Sequence, residues 1–260
     1  MRRMLLLSGQ EVSKIELKQR PKTTGVLLYE GPSLLNGDPI FVVGTLKSSN
    51  VKTGDMIQTW ILPQKTKPVD AVKDGSDVSI CGDCPHRRIN GKRTCYVNVG
   101  QAPRAVWQSW SEGKYPPVED LMSVSKGRKI RFGAYGDPAA VPSAIWEDIA
   151  LDSDGWTGYT HQWKTCDQRL REIMMASTDS EEETLLAWSM GWRTFRIRKT
   201  GEPLMPGEID CPASEAAGKL TTCENCLLCR GKYSDKRNKI PSISIEVHGP
   251  GAVNFGSSNQ

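Results

Sequence analysis

The pattern of apolar and polar positions changes once along this chain, near residue 128. In "GVLLYEGP" (25–32), "PIFVVGTL" (39–46) and "DMIQTWIL" (55–62), short runs rich in β-branched and aromatic residues are bounded by Gly, Pro, Asn or Asp. That pattern predicts three strands, close in sequence and therefore antiparallel. From about residue 128 strands and helices alternate. "KIRFGAYGD" reads as a buried strand, and "PSAIWEDIALDS" as a helix with apolar residues at 144, 145, 146, 149 and 151. "WTGYTHQW" reads as a strand, "DQRLREI" as a short helix opened by Asp167, and "IMMAST" as a strand. Ser180 opens the helix "SEEETLLAWSMG", where Ser180 and Glu183 form a capping box and Gly191 ends it. "WRTFRIRK", "GEIDCPAS" and "SISIEVHG" complete the strands.

Strands separated by helices suit parallel, right-handed βαβ units. The expected fold class is α/β: a full or partial (β/α) barrel with an N-terminal antiparallel β extension and cysteine-rich metal-binding loops. An open sheet is the alternative, because strand order is not written in the pattern. The expected domains are a flexible basic arm (1–24), a β region (25–78), a barrel-like domain (79–250) and a disordered tail (251–260). No fixed-period repeat occurs.

Composition is that of an ordinary globular chain: 260 residues, 38% hydrophobic and 25% charged. No apolar run approaches the ~20 residues of a membrane helix. The opening "MRRMLLLSGQ" has an apolar stretch of four, against roughly 7–15 for a signal peptide. The expected location is the cytoplasm (the host's, if the protein is viral), with no membrane partner. The net charge of +4 is mild, but basic residues gather in 1–28 and in "RGKYSDKRNK" (230–239). These runs could draw nucleic acid, although such runs are commonly solvated surface.

Cysteine placement alters the picture most. The chain has 8 cysteines, and seven fall in two groups: Cys81-x2-Cys84-x10-Cys95 and Cys211-x11-Cys223-x2-Cys226-x2-Cys229. A reducing compartment disfavours disulfides. A C-x2-C turn puts two thiolates on one side of a loop, where they can share a metal. Zinc favours two such pairs, whereas "CENCLLC" is the C-x2-C-x2-C run of a cubane ligand loop, with Cys211 as the fourth ligand. One or two [4Fe-4S] clusters are therefore the preferred cofactor and zinc the alternative; the two groups could also share one site. Three thiolates leave one iron of a cubane open. The first group is thus expected to be the reactive centre and the second the closed, structural one. The eighth, Cys166, reads as a buried small hydrophobe.

The loop ending in Cys95–Tyr96, placed before βα units, resembles that of a radical S-adenosylmethionine barrel. Gly136-Asp137-Pro138 is similar to the Gly-Gly-Glu-Pro stretch of that superfamily. The late "CPAS…TTCENCLLC" resembles auxiliary-cluster segments, and the whole resembles a group of phage-encoded iron–sulfur proteins. The first group is spaced C-x2-C-x10-C, where the superfamily uses C-x3-C-x2-C. The resemblance implies cofactor contacts at Tyr96, Gly136 and Asp137, S-adenosylmethionine as a further ligand, and a small-molecule or redox partner. Redox or radical chemistry then follows, with no catalytic residue assigned. The rival reading is a zinc-stabilised nucleic-acid-binding or structural phage protein without catalysis.

Polar residues expected at the C-terminal ends of parallel strands are Asp137, His161, Gln162, Asp179, Ser214 and His248. Asp137 could simply start a turn before Pro138, and Asp179 reads as an ordinary helix-start acid. His161 and His248 read first as hydrogen-bonded structural histidines, and His86 as a neighbour of the metal or a fourth ligand. Arg193, Arg196 and Arg198 alternate along one strand and suggest an anion site or a positively lined lumen, with Arg193 on the face opposite the other two. No phosphate loop, G-x-S-x-G elbow or H-E-x-x-H is found.

Overall fold

The computed structural model describes residues 24–232 and 240–256. Residues 1–23 of the expected basic arm, residues 233–239 of the late basic run and residues 257–260 lie outside the described residues.

Strands β1 (Gly25–Pro32), β2 (Pro39–Thr45) and β3 (Ile57–Pro63) form the predicted antiparallel extension. The turn between β1 and β2 closes through Ser33 N–H donating to the Asp38 carbonyl at 2.8 Å. β2 is central, and Ile40, Phe41, Val42 and Val43 are all buried. Its near-continuous apolar run reflects cover on both faces.

From β3 the chain makes a long crossover through four helices: α1 (Pro68–Asp74), α2 (Val78–Cys81), α3 (Ala102–Ser111) and α4 (Leu121–Ser125). The sequence predicted none of them. Three are seven residues or shorter, too brief to show a 3.6-residue period. α3 lays Trp110 flat on Phe41 of β2, ring centroids 3.9 Å apart, which covers one face of the sheet.

The crossover returns as β4 (Lys129–Tyr135), parallel to β3. Helix α5 (Ser143–Leu151) follows, burying Trp146, whose indole N–H donates to the Pro138 carbonyl. Next comes β5 (Gly155–Thr157), parallel to β4. β6 (Tyr159–Thr160), β7 (Met175–Thr178), helix α6 (Glu181–Ser189), β8 (Thr194–Arg198), β9 (Glu208–Asp210), helix α7 (Cys223–Cys226) and β10 (Ser242–Glu246) complete the elements.

The strands form two five-stranded sheets, β1-β2-β3-β4-β5 and β6-β7-β8-β10-β9, the second wholly parallel. Only Gly158 separates β5 from β6, and its N–H donates to the Cys229 carbonyl at 2.9 Å. The fold is thus mixed α/β with parallel strands and the N-terminal antiparallel extension. Among the described residues β1 and β9 are sheet edges, so no closed barrel is seen.

Local signals held where they were strongest. Asp167 caps a 3-10 turn at 168–172, and Ser180 Oγ accepts from Glu183 N–H. The Glu183 carboxylate, however, accepts from Asp179 N–H, one residue earlier than a capping box places it. Residues 252–254, expected in a loose tail, form a 3-10 turn, and Phe255 after it stacks on His86. No helix is long and apolar enough to cross a membrane among the described residues.

Candidate functional site

A cavity of about 340 Å³ opens at the C-terminal ends of the parallel strands. Cys81, Cys84 and Cys95 line it together with Cys211 and Cys223. Thiols more than a hundred residues apart in sequence thus face one space. Tyr96, Gly136, Asp137, His161 and His248 line it as well. All eight cysteines are free thiols.

The first group is built on the crossover. Cys81 is the last residue of α2, not part of a loop as expected, and Cys84 N–H turns back to the Cys81 carbonyl at 3.2 Å. Gly82 follows at φ 56°, and a Cβ there would lie 2.6 Å from the Gln162 side chain. The x10 spacer is a small hairpin. Asn90 and Gly91 both have positive φ (50° and 79°), and Ile89 pairs with Lys92. Such a turn needs Asn-Gly, and it folds the chain back so that Cys95 N–H meets the His86 carbonyl at 3.0 Å. Asn90-Gly91 is the sequence signal for this return. The Arg87 guanidinium ties the loop down, donating to Asp77 (2.6 Å), Gly75 O (2.7 Å) and Gly82 O (2.8 Å).

The second group also departs from a plain loop. Thr222 caps the single turn of α7, and Leu227 at φ 52° reverses the chain toward Cys229. Cys223 N–H donates to the Lys52 carbonyl at 2.8 Å, fastening α7 to the β2–β3 connection. Cys211, just past β9, donates its N–H to Ser244 O at 2.8 Å.

Burial pushes the Cys81 thiol well up, and the neighbouring Cys84 and Cys95 add to the rise. Burial also raises Cys95, against the pull of Arg93. In the second group burial raises Cys211, Cys223 and Cys226, and takes Cys229 to about 12, with each of the other three contributing to Cys229. Several buried thiols that oppose one another's ionisation form a donor set that a cation satisfies, since metal binding replaces their protons. Arg131 supplies fixed positive charge beside Cys223. Burial works against its charge, but Tyr96, Tyr159 and Cys223 outweigh that and raise its pKa; its Nε is buried without a hydrogen-bond partner.

The residues tied to S-adenosylmethionine have clear local duties. Gly136 has φ 82°, and a Cβ there would sit 2.6 Å from the Ile61 carbonyl oxygen, so only glycine fits. Asp137 is buried and accepts from Thr160 Oγ (2.6 Å), His161 N–H (2.8 Å) and Ala139 N–H (2.9 Å). Burial raises its pKa; these donors oppose the rise. The Tyr96 hydroxyl accepts from Arg131, and its ring stacks on His248 at 5.5 Å.

The arginine expectation is corrected. Phe195 and Ile197 line the cavity, so Arg196 and Arg198, which alternate with them on β8, lie on the other face. Arg196 pairs with Glu202 and Glu208, Arg198 with Asp210 and Glu246, and Arg193 donates to main-chain carbonyls including Leu228 and Pro241. None is left over for an anion, and the cavity wall at β8 is apolar. Cys166 packs beside the core, and burial raises it to about 12.

Asp179 follows a parallel strand as expected, but it does more than start a helix. Its carboxylate lies 2.9 Å from His86 Nε2 and 3.5 Å from His161 Nε2. Among the described residues these three form the one group of His, Cys, Asp or Glu side chains whose ligand atoms all lie within 4.8 Å of one another. Comparison with family models, curated proteins and solved structures finds no match to this chain.

Proposed function

We propose that this protein binds iron–sulfur clusters, one at Cys81, Cys84 and Cys95 and one at Cys211, Cys223, Cys226 and Cys229, with the cavity between them taking a small molecule. One observation carries the reading: Cys81, Cys84 and Cys95 face one cavity at the C-terminal ends of parallel strands together with Cys211 and Cys223 of the second group, while Cys226 and Cys229 lie outside its lining. Three donors at the first group would leave a cubane one protein ligand short, while four would complete the second shell. A single zinc ion with bonds of about 2.3 Å would draw its thiolates to roughly 3.8 Å apart. Among the described residues no three cysteine sulfurs lie that close, all within 4.8 Å of one another. The parallel strands after β3 supply the frame, and a partial barrel is the architecture that suits them.

A bound cluster would supply one-electron chemistry. The chain's own residues do the rest. Arg131 balances thiolate charge, the apolar wall of Phe195, Ile197 and Ile245 excludes water, and Gly136 with Asp137 fixes the turn that shapes the rim. S-adenosylmethionine is the small molecule the resemblance implies. Anaerobic protein given reductant and S-adenosylmethionine should then form 5′-deoxyadenosine. Iron-loaded protein that forms none, and shows no change in its cluster spectrum on adding S-adenosylmethionine, removes the radical assignment and leaves a cluster-binding protein.

A further inference from the structure

We propose that His86, His161 and Asp179 form a separate mononuclear site for a divalent transition-metal ion, with its open coordination positions facing the cysteine-lined cavity. His161 follows β6 and Asp179 follows β7, so adjacent parallel strands deliver them side by side; His86 comes down from the crossover. The spacing admits one ion: a ligand atom from each of the three side chains lies within 4.8 Å of the others. Two donors each about 2.1 Å from a metal lie roughly 3.0–3.4 Å apart between octahedral and tetrahedral geometry. The observed separations are 2.9 Å for His86 Nε2 to Asp179 Oδ1 and 3.5 Å for His161 Nε2 to Asp179 Oδ2.

Hydrogen bonding alone leaves this cluster incomplete. His161 Nε2 and Asp179 Oδ2 are both buried and face each other at 3.5 Å without a well-formed hydrogen bond, an under-satisfied pair that a shared cation relieves. The outer contacts are those that orient metal-binding histidines. His86 Nδ1 lies 2.6 Å from Thr94 Oγ, which fixes the ring with Nε2 toward Asp179. Asp179 is itself anchored by its N–H to the Glu183 carboxylate at 3.0 Å. Both histidines line the cavity, so a ligand there could reach the ion's free positions. Two imidazoles and one carboxylate suit iron(II), zinc or manganese, and differ in kind from the all-thiol groups nearby.

The test uses Mn(II), which thiolates bind poorly, and the full chain carrying whatever cluster it holds. Binding is read from loss of the free Mn(II) electron paramagnetic resonance signal, alongside iron and sulfide per chain. Wild type should take up one equivalent. Asp179→Asn and His161→Ala should bind at least about 100-fold more weakly, and Thr94→Val about tenfold more weakly, with iron and sulfide unchanged. If Asp179→Asn and His161→Ala fail to fold, Thr94→Val and wild type still decide. Wild type without stoichiometric binding, or binding indifferent to these substitutions, overturns the site. Iron and sulfide lost together with Mn(II) binding also overturns it, because the histidines then serve the cluster. Mn(II) bound by a chain that never holds sulfide would sink the cluster reading and leave this site standing.

Discussion

Glu208→Ala should be among the most damaging single changes outside the cysteines. Arg196 is fully buried, and the Glu208 side chain is 0% exposed. Two contacts make the pair a fork: Arg196 Nε to Oε1 at 2.9 Å and Nη2 to Oε2 at 2.8 Å. Glu208 Oε2 also accepts Met205 N–H at 2.9 Å. Removing the carboxylate strands most of a buried guanidinium, with only Glu202 and the Pro203 carbonyl left to it. Breaking a pair of this kind destabilises by about 3–5 kcal/mol. The consequence reaches the site because β10 lies between β8 and β9, so this pair spans the sheet to hold β9, the strand that leads into Cys211. Equilibrium urea unfolding of wild type and Glu208→Ala measures the loss, and iron content reports on Cys211. The double change Arg196→Met/Glu208→Leu should recover most of the stability, since apolar replacement of a buried pair is commonly neutral. A loss below about 1 kcal/mol for Glu208→Ala, or a double variant no better than the single, refutes the reasoning.

Gly136→Ala places a Cβ 2.6 Å from Ile61 backbone at φ 82°; a loss of roughly 2–4 kcal/mol is expected in thermal unfolding, from left-handed strain plus overpacking. Asp137→Asn offers one acceptor and an NH₂ to three donors, so about 1–3 kcal/mol should be lost, with a changed His161 resonance by NMR. The Arg169 side chain holds Asp167 below its usual 3.8, at about 2. A depressed carboxylate stabilises above its unfolded pKa, so this contribution is full above pH 3.8 and fades as pH falls toward 2. Asp167→Asn should flatten acid unfolding in that window, by less at high salt because the pair is solvent-accessible. A window unchanged by the substitution would show that the pair contributes nothing.

Much of the framework was legible because it rests on local signals. Short β-branched and aromatic runs bounded by turn residues located the strands at 25–62, and Asp167 and Ser180 announced the elements they cap. The four crossover helices were not legible, since their burial depends on partners such as Phe41 distant in sequence. For the site, cysteine spacing marked two groups, but nothing in spacing says that Cys211 and Cys223 meet the first group at one cavity. Asp179 looked like an ordinary acid before a helix because its partners, His86 and His161, reach it only through strand pairing and the crossover. The β8 arginines failed for a related reason: alternation placed them on one face but could not say that the face held Glu208, Asp210 and Glu246.

Iron, sulfide and zinc measured together on anaerobically purified full-length protein test the central claim most directly. Two cubane clusters predict close to eight iron and eight acid-labile sulfide per chain, or about four of each for one, with visible absorption that bleaches on reduction. Zinc at one or two equivalents with no sulfide, in a colourless protein, would contradict the account.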